Sequence, residues 1–199
     1  NGKTVMPITT NTASLTTSSL HQNPFSVLGV TVRDDRRTII EQAEHQSLLL
    51  DVEECQRARS ALTSPKNRIT VEMAWLPGVP PEQTQRLLDN LLKNALSARR
   101  ENTLPSLAHC NLLAAAFDVV NSDFAADELA GLILEFASLI DECDLEDITA
   151  QINADRAASG FPAVMGGDII EHEFRERKRV FSSVVKDALN RLPSESLLK

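Results

Sequence analysis

A chain of 199 residues with 42% apolar and 24% charged side chains can bury a core as one large domain or two small ones, a balance ordinary for a soluble globular protein. Its net charge of -8 is concentrated in residues 78–170, where 5 Lys and Arg face 15 Asp and Glu, and no basic stripe interleaved with aromatics exists elsewhere, so nucleic-acid binding is not expected. No apolar run approaches the roughly 20 residues of a membrane span, and no charged-then-apolar leader is seen, so the expected setting is cytoplasmic with no membrane partner.

Residues 1–22 are rich in Ser and Thr, nearly uncharged and without apolar periodicity. Such a segment cannot offset its ordering entropy and is expected to be a disordered tail. From Asn23 the signals are helical. Asn23 and Pro24 suit the cap and first position of a short helix, which Gly29 ends in the left-handed conformation while Phe25 and Leu28 face a core. Asp34 and Asp35 can cap a second helix running to about Asp51, with Ile40, Ala43, Ser47 and Leu50 on one stripe. Cys55, Ala58 and Leu62 repeat that spacing on a third helix, and small Ala58 and Ala61 permit close packing. Ser64-Pro65 reads as the cap and first residue of a fourth, with Ile69, Met73 and Leu76 on one face and Pro77-Gly78 as its stop.

Pro77 to Pro81 is the natural joint of the chain. Beyond it, Glu82 to Arg100 places Leu87, Leu88, Leu91, Leu92 and Leu96 on one stripe. Pro105 to Val120 and Ala125 to Cys143 are apolar enough to be central helices buried on more than one side. A shorter helix is expected over Leu145 to Ala158, and a last one from about Asp168 to Leu192. No segment alternates with period two. The expected fold is all-α, with a small helical module at residues 23–78 packed against a C-terminal antiparallel helical bundle at residues 79–199. Trp75, at the edge of the joint with a large apolar body to bury, is expected at their junction.

The opening Asn23-Pro24-Phe25-Ser26-Val27-Leu28-Gly29-Val30 and the close Ala58…Leu62-Thr63-Ser64-Pro65…Arg68 resemble the two ends of a J-domain, the helical module that docks onto DnaK-type chaperone ATPases. The likeness covers residues 23 to about 77, Ser64 standing where the family carries a capping Asp, and Ile40 and Ala43 keep core positions of the second helix. A working J-domain carries a His-Pro-Asp trigger between its long helices. Here no proline lies between Phe25 and Ser64, and His45 is followed by Gln46-Ser47. The resemblance also implies a basic face on the second helix that meets an acidic surface of the ATPase, whereas Arg36, Arg37 and His45 here alternate with Glu41 and Glu44. It therefore implies a J-like scaffold that docks a partner without stimulating an ATPase. A J-like module followed by a helical region is also the plan of the iron–sulfur-assembly co-chaperones, an architectural analogy alone.

No constellation of side chains forms a catalytic signature. His172 and Glu176 lie one helical turn apart, but two ligands make no metal site and a solvated charged helix is the simpler reading. The carboxylates of residues 141–147 lack the Gly and terminal Glu of a calcium loop and read as a solvated junction or an acidic docking patch. His109-Cys110 are adjacent on a helix and so point about 100° apart, which does not make a nucleophilic dyad. Gly166-Gly167-Asp168 could present backbone N–H groups to an anion, but Asp168 reads as the helix N-cap. Cys55, Cys110 and Cys143 read as buried, reduced thiols, a metal or redox role being the alternative. The basic cluster Arg175, Arg177, Lys178 and Arg179 is expected to pack against the acidic middle segment or to offer a docking face.

The expected function is thus a non-catalytic co-chaperone or adaptor with no cofactor, contacting a DnaK-type ATPase or a larger assembly. The expected contact residues are Arg36, Arg37, Glu41 and His45 on the J-like module. Asp141, Glu142, Asp144, Arg175 and Arg179 on the bundle would meet a client or second subunit. Two alternatives belong to other classes: a metal-dependent enzyme assembled across distant helices from His172 and the 141–147 carboxylates, and a purely structural module.

Overall fold

The computed structural model describes residues 20–101, 103–118 and 125–191, and every regular element among them is helical. A 3-10 turn at Leu20–Gln22 leads into α1 (Pro24–Leu28), α2 (Arg36–Gln46), α3 (Val52–Thr63) and α4 (Pro65–Met73). After the joint come α5 (Pro81–Lys93), a 3-10 segment at Ala95–Arg100, α6 (Ser106–Phe117), α7 (Ala126–Asp141), α8 (Leu145–Ser159) and α9 (Gly167–Asn190). No helix among the described residues is long and apolar enough to cross a membrane. Most of the tail expected to be disordered lies outside the described residues. Its last three residues form the 3-10 turn, with Leu20 buried, which corrects that boundary.

The first helix forms as its residues dictate. Asn23 Oδ1 accepts the Phe25 N–H at 3.0 Å, and Gly29 closes the helix at φ 64°. The Asn23 amide does a second task, donating from Nδ2 to Val71 O and Ala74 O, both at 3.2 Å. It thereby ties the end of α4 to the start of α1, adding to the Ala74 N–H that Val71 O already accepts and giving Ala74 O, at the C-cap, a partner. Ser64 occupies the cap position of α4 but its side chain makes no capping bond, contrary to expectation.

Two helices stop earlier than the sequence suggests. Asp35 caps α2 by accepting the Thr38 N–H at 2.8 Å, but α2 ends at Gln46, not near Asp51. Ser47 Oγ donates to Glu44 O at 2.7 Å, and the N–H groups of Leu48, Leu49 and Leu50 fold back onto His45 O and Gln46 O. Asp51 belongs to the next helix, whose first turn it caps through the Glu54 N–H at 2.9 Å. The buried stripe of α2 is accordingly Ile39 and Ala43, with Ile40 half-buried and Leu50 outside it. Likewise α5 breaks at Asn94, whose Oδ1 accepts the Leu96 N–H at 3.1 Å and starts the 3-10 segment; Leu92, expected in the stripe, is exposed.

The core is one continuous cluster that runs from Leu20 and Phe25 to Val184 and Ala188. Its centre is α6, buried at every residue from Leu107 to Phe117, as its apolar run predicts. Phe117, Phe136 and Phe181 stack at 5.2 Å between successive ring centroids and join α6 to α7 and α9. The equal burial expected of α7 is not found: Leu129, Leu132 and Phe136 face inward while Leu134 is exposed. Trp75 is buried with its ring centroid 5.6 Å from that of Phe25. It lines a groove of about 290 Å3 together with Phe25, Pro81 and Leu88, so it stands where the joint enters α5.

Candidate interaction surface

Helices α2 and α3 pack face to face through Ile39, Ala43, Cys55 and Ala58, and residues 47–51 form the turn that joins them. With the backbone of that turn satisfied locally, its side chains point outward. Leu48 is 80% exposed, Leu49 71%, Leu50 46% and Val52, at the start of α3, 50%. Exposed runs of this kind are avoided on surfaces that bind nothing, because each side chain keeps an apolar face in water without return. The flanking sequence is acidic, residues 46–56 containing Asp51, Glu53 and Glu54 and no Lys or Arg, while Arg59, a turn further along α3, lines the shallow groove beside Val52. The result is an apolar knob with a carboxylate skirt, held on a helical hairpin. Sequence reasoning missed it by continuing α2 to Asp51. The readable signal was Asp51-Val52-Glu53-Glu54, a cap followed three residues later by Glu, which marks a new helix start.

The residues expected to bind partners are all at the surface but fall in three separate places. Arg36, Arg37, Glu41 and His45 lie along the exposed face of α2, and Arg37 spends its charge on Glu41 at 2.7 Å. Asp141 and Glu142 close α7, while Asp144 caps α8 by accepting the N–H groups of Glu146 and Asp147 at 2.8 and 3.0 Å. Arg175 pairs with Glu171 at 2.7 Å and Arg179 with Glu176, both within α9. The match expected between these cations and the acidic middle segment is therefore not made by Arg175 or Arg179. Arg177 is not a surface residue: it is buried and its Nε donates to Asn111 Oδ1 at 2.7 Å.

The chemical candidates stay apart as well. No three His, Cys, Asp or Glu side chains among the described residues gather as a metal site requires, and His172 is exposed on α9. The His109 ring turns away from Cys110, its Nε2 lying 2.9 Å from Ala98 O. Asp168 sits inside the first turn of α9, and Gly166 holds the cap position, which corrects the N-cap assignment.

A second feature escaped the sequence altogether. Glu72 on α4, 3% exposed, is held between Arg68 Nε at 2.6 Å and Arg156 of α8, whose Nε and terminal nitrogen both reach Glu72 Oε2 at 2.8 Å. Arg68 is fully buried between the rings of Phe25 and Phe161, at 5.2 and 4.0 Å, and donates to Val32 O and Leu62 O. Arg156 also donates to Pro65 O and Pro162 O. Burial pushes the Glu72 carboxyl up and the Arg68 guanidinium down, and the opposite charges work against both shifts. Next to this triad, Asp155 accepts the Gly78 N–H at 2.9 Å, fixing the joint to α8. Asn111 of α6 donates to Met73 O and Trp75 O at 3.0 and 2.6 Å. The polar interior thus fastens α4 to α6 and α8, while the α2–α3 tip carries the longest consecutive run of exposed large apolar side chains among the described residues.

No family model, no curated protein and no solved structure matches the chain.

Proposed function

We propose that the chain is a non-catalytic adaptor whose N-terminal helical module, similar in sequence to a J-domain, docks a partner protein through the α2–α3 tip. The observation that carries this reading is the exposed run Leu48-Leu49-Leu50 with Val52, mounted on a packed hairpin. The occupant is a protein with an apolar groove rimmed by Lys and Arg, since Asp51, Glu53 and Glu54 surround the knob and need opposite charge around it. Tip-to-tip pairing of two copies brings those carboxylates together, and an anionic membrane repels them, so neither is the occupant. The acidic patch of Asp141, Glu142 and Asp144 and the cations Arg175 and Arg179 lie on other helices and suit a client or second subunit.

The J-domain likeness implies a DnaK-type ATPase as one partner, but a knob of leucine and carboxylate is the wrong chemistry for the acidic ATPase surface that a basic J-domain face meets. The adaptor reading therefore expects no stimulation. Single-turnover ATP hydrolysis by DnaK-type chaperones stays at its basal rate when the purified chain is added. Stimulation comparable to that of an ordinary J-domain protein overturns the reading.

A further inference from the structure

Two of the three cysteines are neighbours, which their spacing in sequence conceals. Cys110, at the middle of α6 and fully buried, holds its Sγ 3.9 Å from the Sγ of Cys143, in the turn between α7 and α8. Both are free thiols, and Cys143 is half-buried. The elements that carry them differ in stiffness. Cys110 is fixed within a helix buried along its length, whereas Cys143 lies between the last residue of α7's cap and Asp144, the cap of α8. A disulfide needs the sulfurs about 2 Å apart. Of the two, Cys143, in a turn outside both helices, is the side with freedom to close the gap.

We propose that Cys110 and Cys143 are an oxidation site that closes to an intrachain disulfide, with a hydroperoxide as the two-electron oxidant. Cys143 is the entering sulfur because solvent reaches it and does not reach Cys110. Its thiolate attacks one peroxide oxygen, the O–O bond breaks, and the departing oxygen leaves as hydroxide and is protonated, giving a Cys143 sulfenic acid. The Cys110 sulfur, losing its proton, then attacks the Cys143 sulfur, and the S–OH bond breaks with release of water. Two thiols are oxidised, one hydrogen peroxide is reduced, and two waters are formed.

The charges around the pair assign the same roles. The hydrogen-bonding contact with Cys110 holds the Cys143 thiol below its usual range, Lys178 of α9 assists, and burial and Glu142, the C-cap of α7, oppose. That same contact, and then burial, push the Cys110 thiol up. Behind Cys110 lies an unusual cation. Arg177 is 4% exposed, and its two terminal nitrogens have no hydrogen-bond partner among the described residues. Burial pushes Arg177 down to about 10, while Cys110 and Asp118 act in the other direction. A buried cation left incompletely satisfied beside Cys110 favours negative charge on that sulfur, which eases the loss of its proton in the second step, the attack on the Cys143 sulfenic acid. Cys55, buried on α3 and pushed up by burial first and by the charges of Glu54 and Asp51, serves as an internal control.

The test uses the full chain, reduced, exposed to hydrogen peroxide and digested without reductant. The expected result is a single peptide linking Cys110 to Cys143 within one chain, loss of two of the three titratable thiols, and recovery of both on treatment with dithiothreitol. Cys143→Ser, a change at a half-buried turn position, yields no linked peptide and leaves Cys110 reduced. Cys110→Ala leaves Cys143 as a sulfenic acid that dimedone labels. The proposal is overturned if the wild-type chain keeps all three thiols, if Cys143 proceeds to sulfinic or sulfonic acid without a linked peptide, or if the link forms between chains.

Discussion

Glu72 shows how a single residue can hold distant parts of this chain together. Its carboxylate lies directly between two buried guanidinium groups, one from its own helix and one from 84 residues later. Burying three charges is expensive, and the arrangement holds because each guanidinium also donates to backbone carbonyls. Removing the centre leaves two buried cations facing each other. Glu72→Ala is therefore expected to cost about 3–5 kcal/mol, measured by urea unfolding monitored at Trp75. A loss under about 1 kcal/mol shows that water or a rearranged side chain takes over, and that the triad is not the fastening described. Asn111 works in the same way at smaller scale, turning its amide to two carbonyls at the end of α4 and its oxygen to Arg177.

At the scale of elements, α2 is defined by its two ends. Asp35 begins it, and the backbone N–H of Thr38 on its carboxylate, first among the causes, holds the carboxyl below its usual range. A folded pKa lowered beneath the unfolded value means that the stabilisation is fully present above the unfolded value and is lost as pH falls through the folded one. Amide exchange in the first turn of α2 is thus expected to quicken in acid below the usual carboxylate range. In Asp35→Asn, which keeps a capping oxygen without the charge, that pH step is absent. An unchanged step in the variant assigns it to another group.

The other end of α2 shows what the sequence could and could not reveal. The all-α fold, the start of α1, the stripe of α3 and the central burial of α6 follow from periodicity, caps and composition. The stop at Gln46 does not, because Ser47 and three leucines continue a plausible helical stripe, and only the side-chain bond to Glu44 O and the competing cap at Asp51 end it. The same contest misplaced Asn94 in α5. Local polar side chains that can serve as a cap or as a helical residue read alike in sequence, and tertiary packing chooses. The Arg68–Glu72–Arg156 triad and the Cys110–Cys143 pair were beyond reach for a different reason. Their members are separated by 84 and 33 residues in chain order, and nothing in either local pattern points to the other.

For the whole molecule, the consequence is that the segment of residues 23–78 does not stand alone. Its core continues into the C-terminal helices. Its Glu72 is completed by Arg156, the end of α4 by Asn111, and Gly78 by Asp155. Gly78 itself sits at φ 76°, where a side chain is strained, and a Cβ there would press within 3.0 Å of Gln151 and 3.3 Å of Pro105, so the joint is a fitted corner and not a flexible string. Residues 23–78 expressed by themselves are expected to lack a cooperative unfolding transition, while the full chain unfolds in one. A fragment that melts as sharply as the full chain removes this picture.

Docking through the α2–α3 tip is read out by site-specific photo-crosslinking in the native host. A benzophenone amino acid is placed at Leu49, with a second chain carrying it at Arg179 on α9 as comparison, and the crosslinked peptides are mapped on both sides. Exposure of Leu49 makes the substitution tolerable to the fold, which a thermal melt verifies. The account predicts a Leu49 adduct with one protein, mapped to an apolar groove bordered by Lys and Arg, that is absent from the Arg179 chain and lost when Leu48 and Leu50 are changed to Ser. An adduct with lipid, an adduct with a second copy of the chain, or no adduct at Leu49 contradicts it.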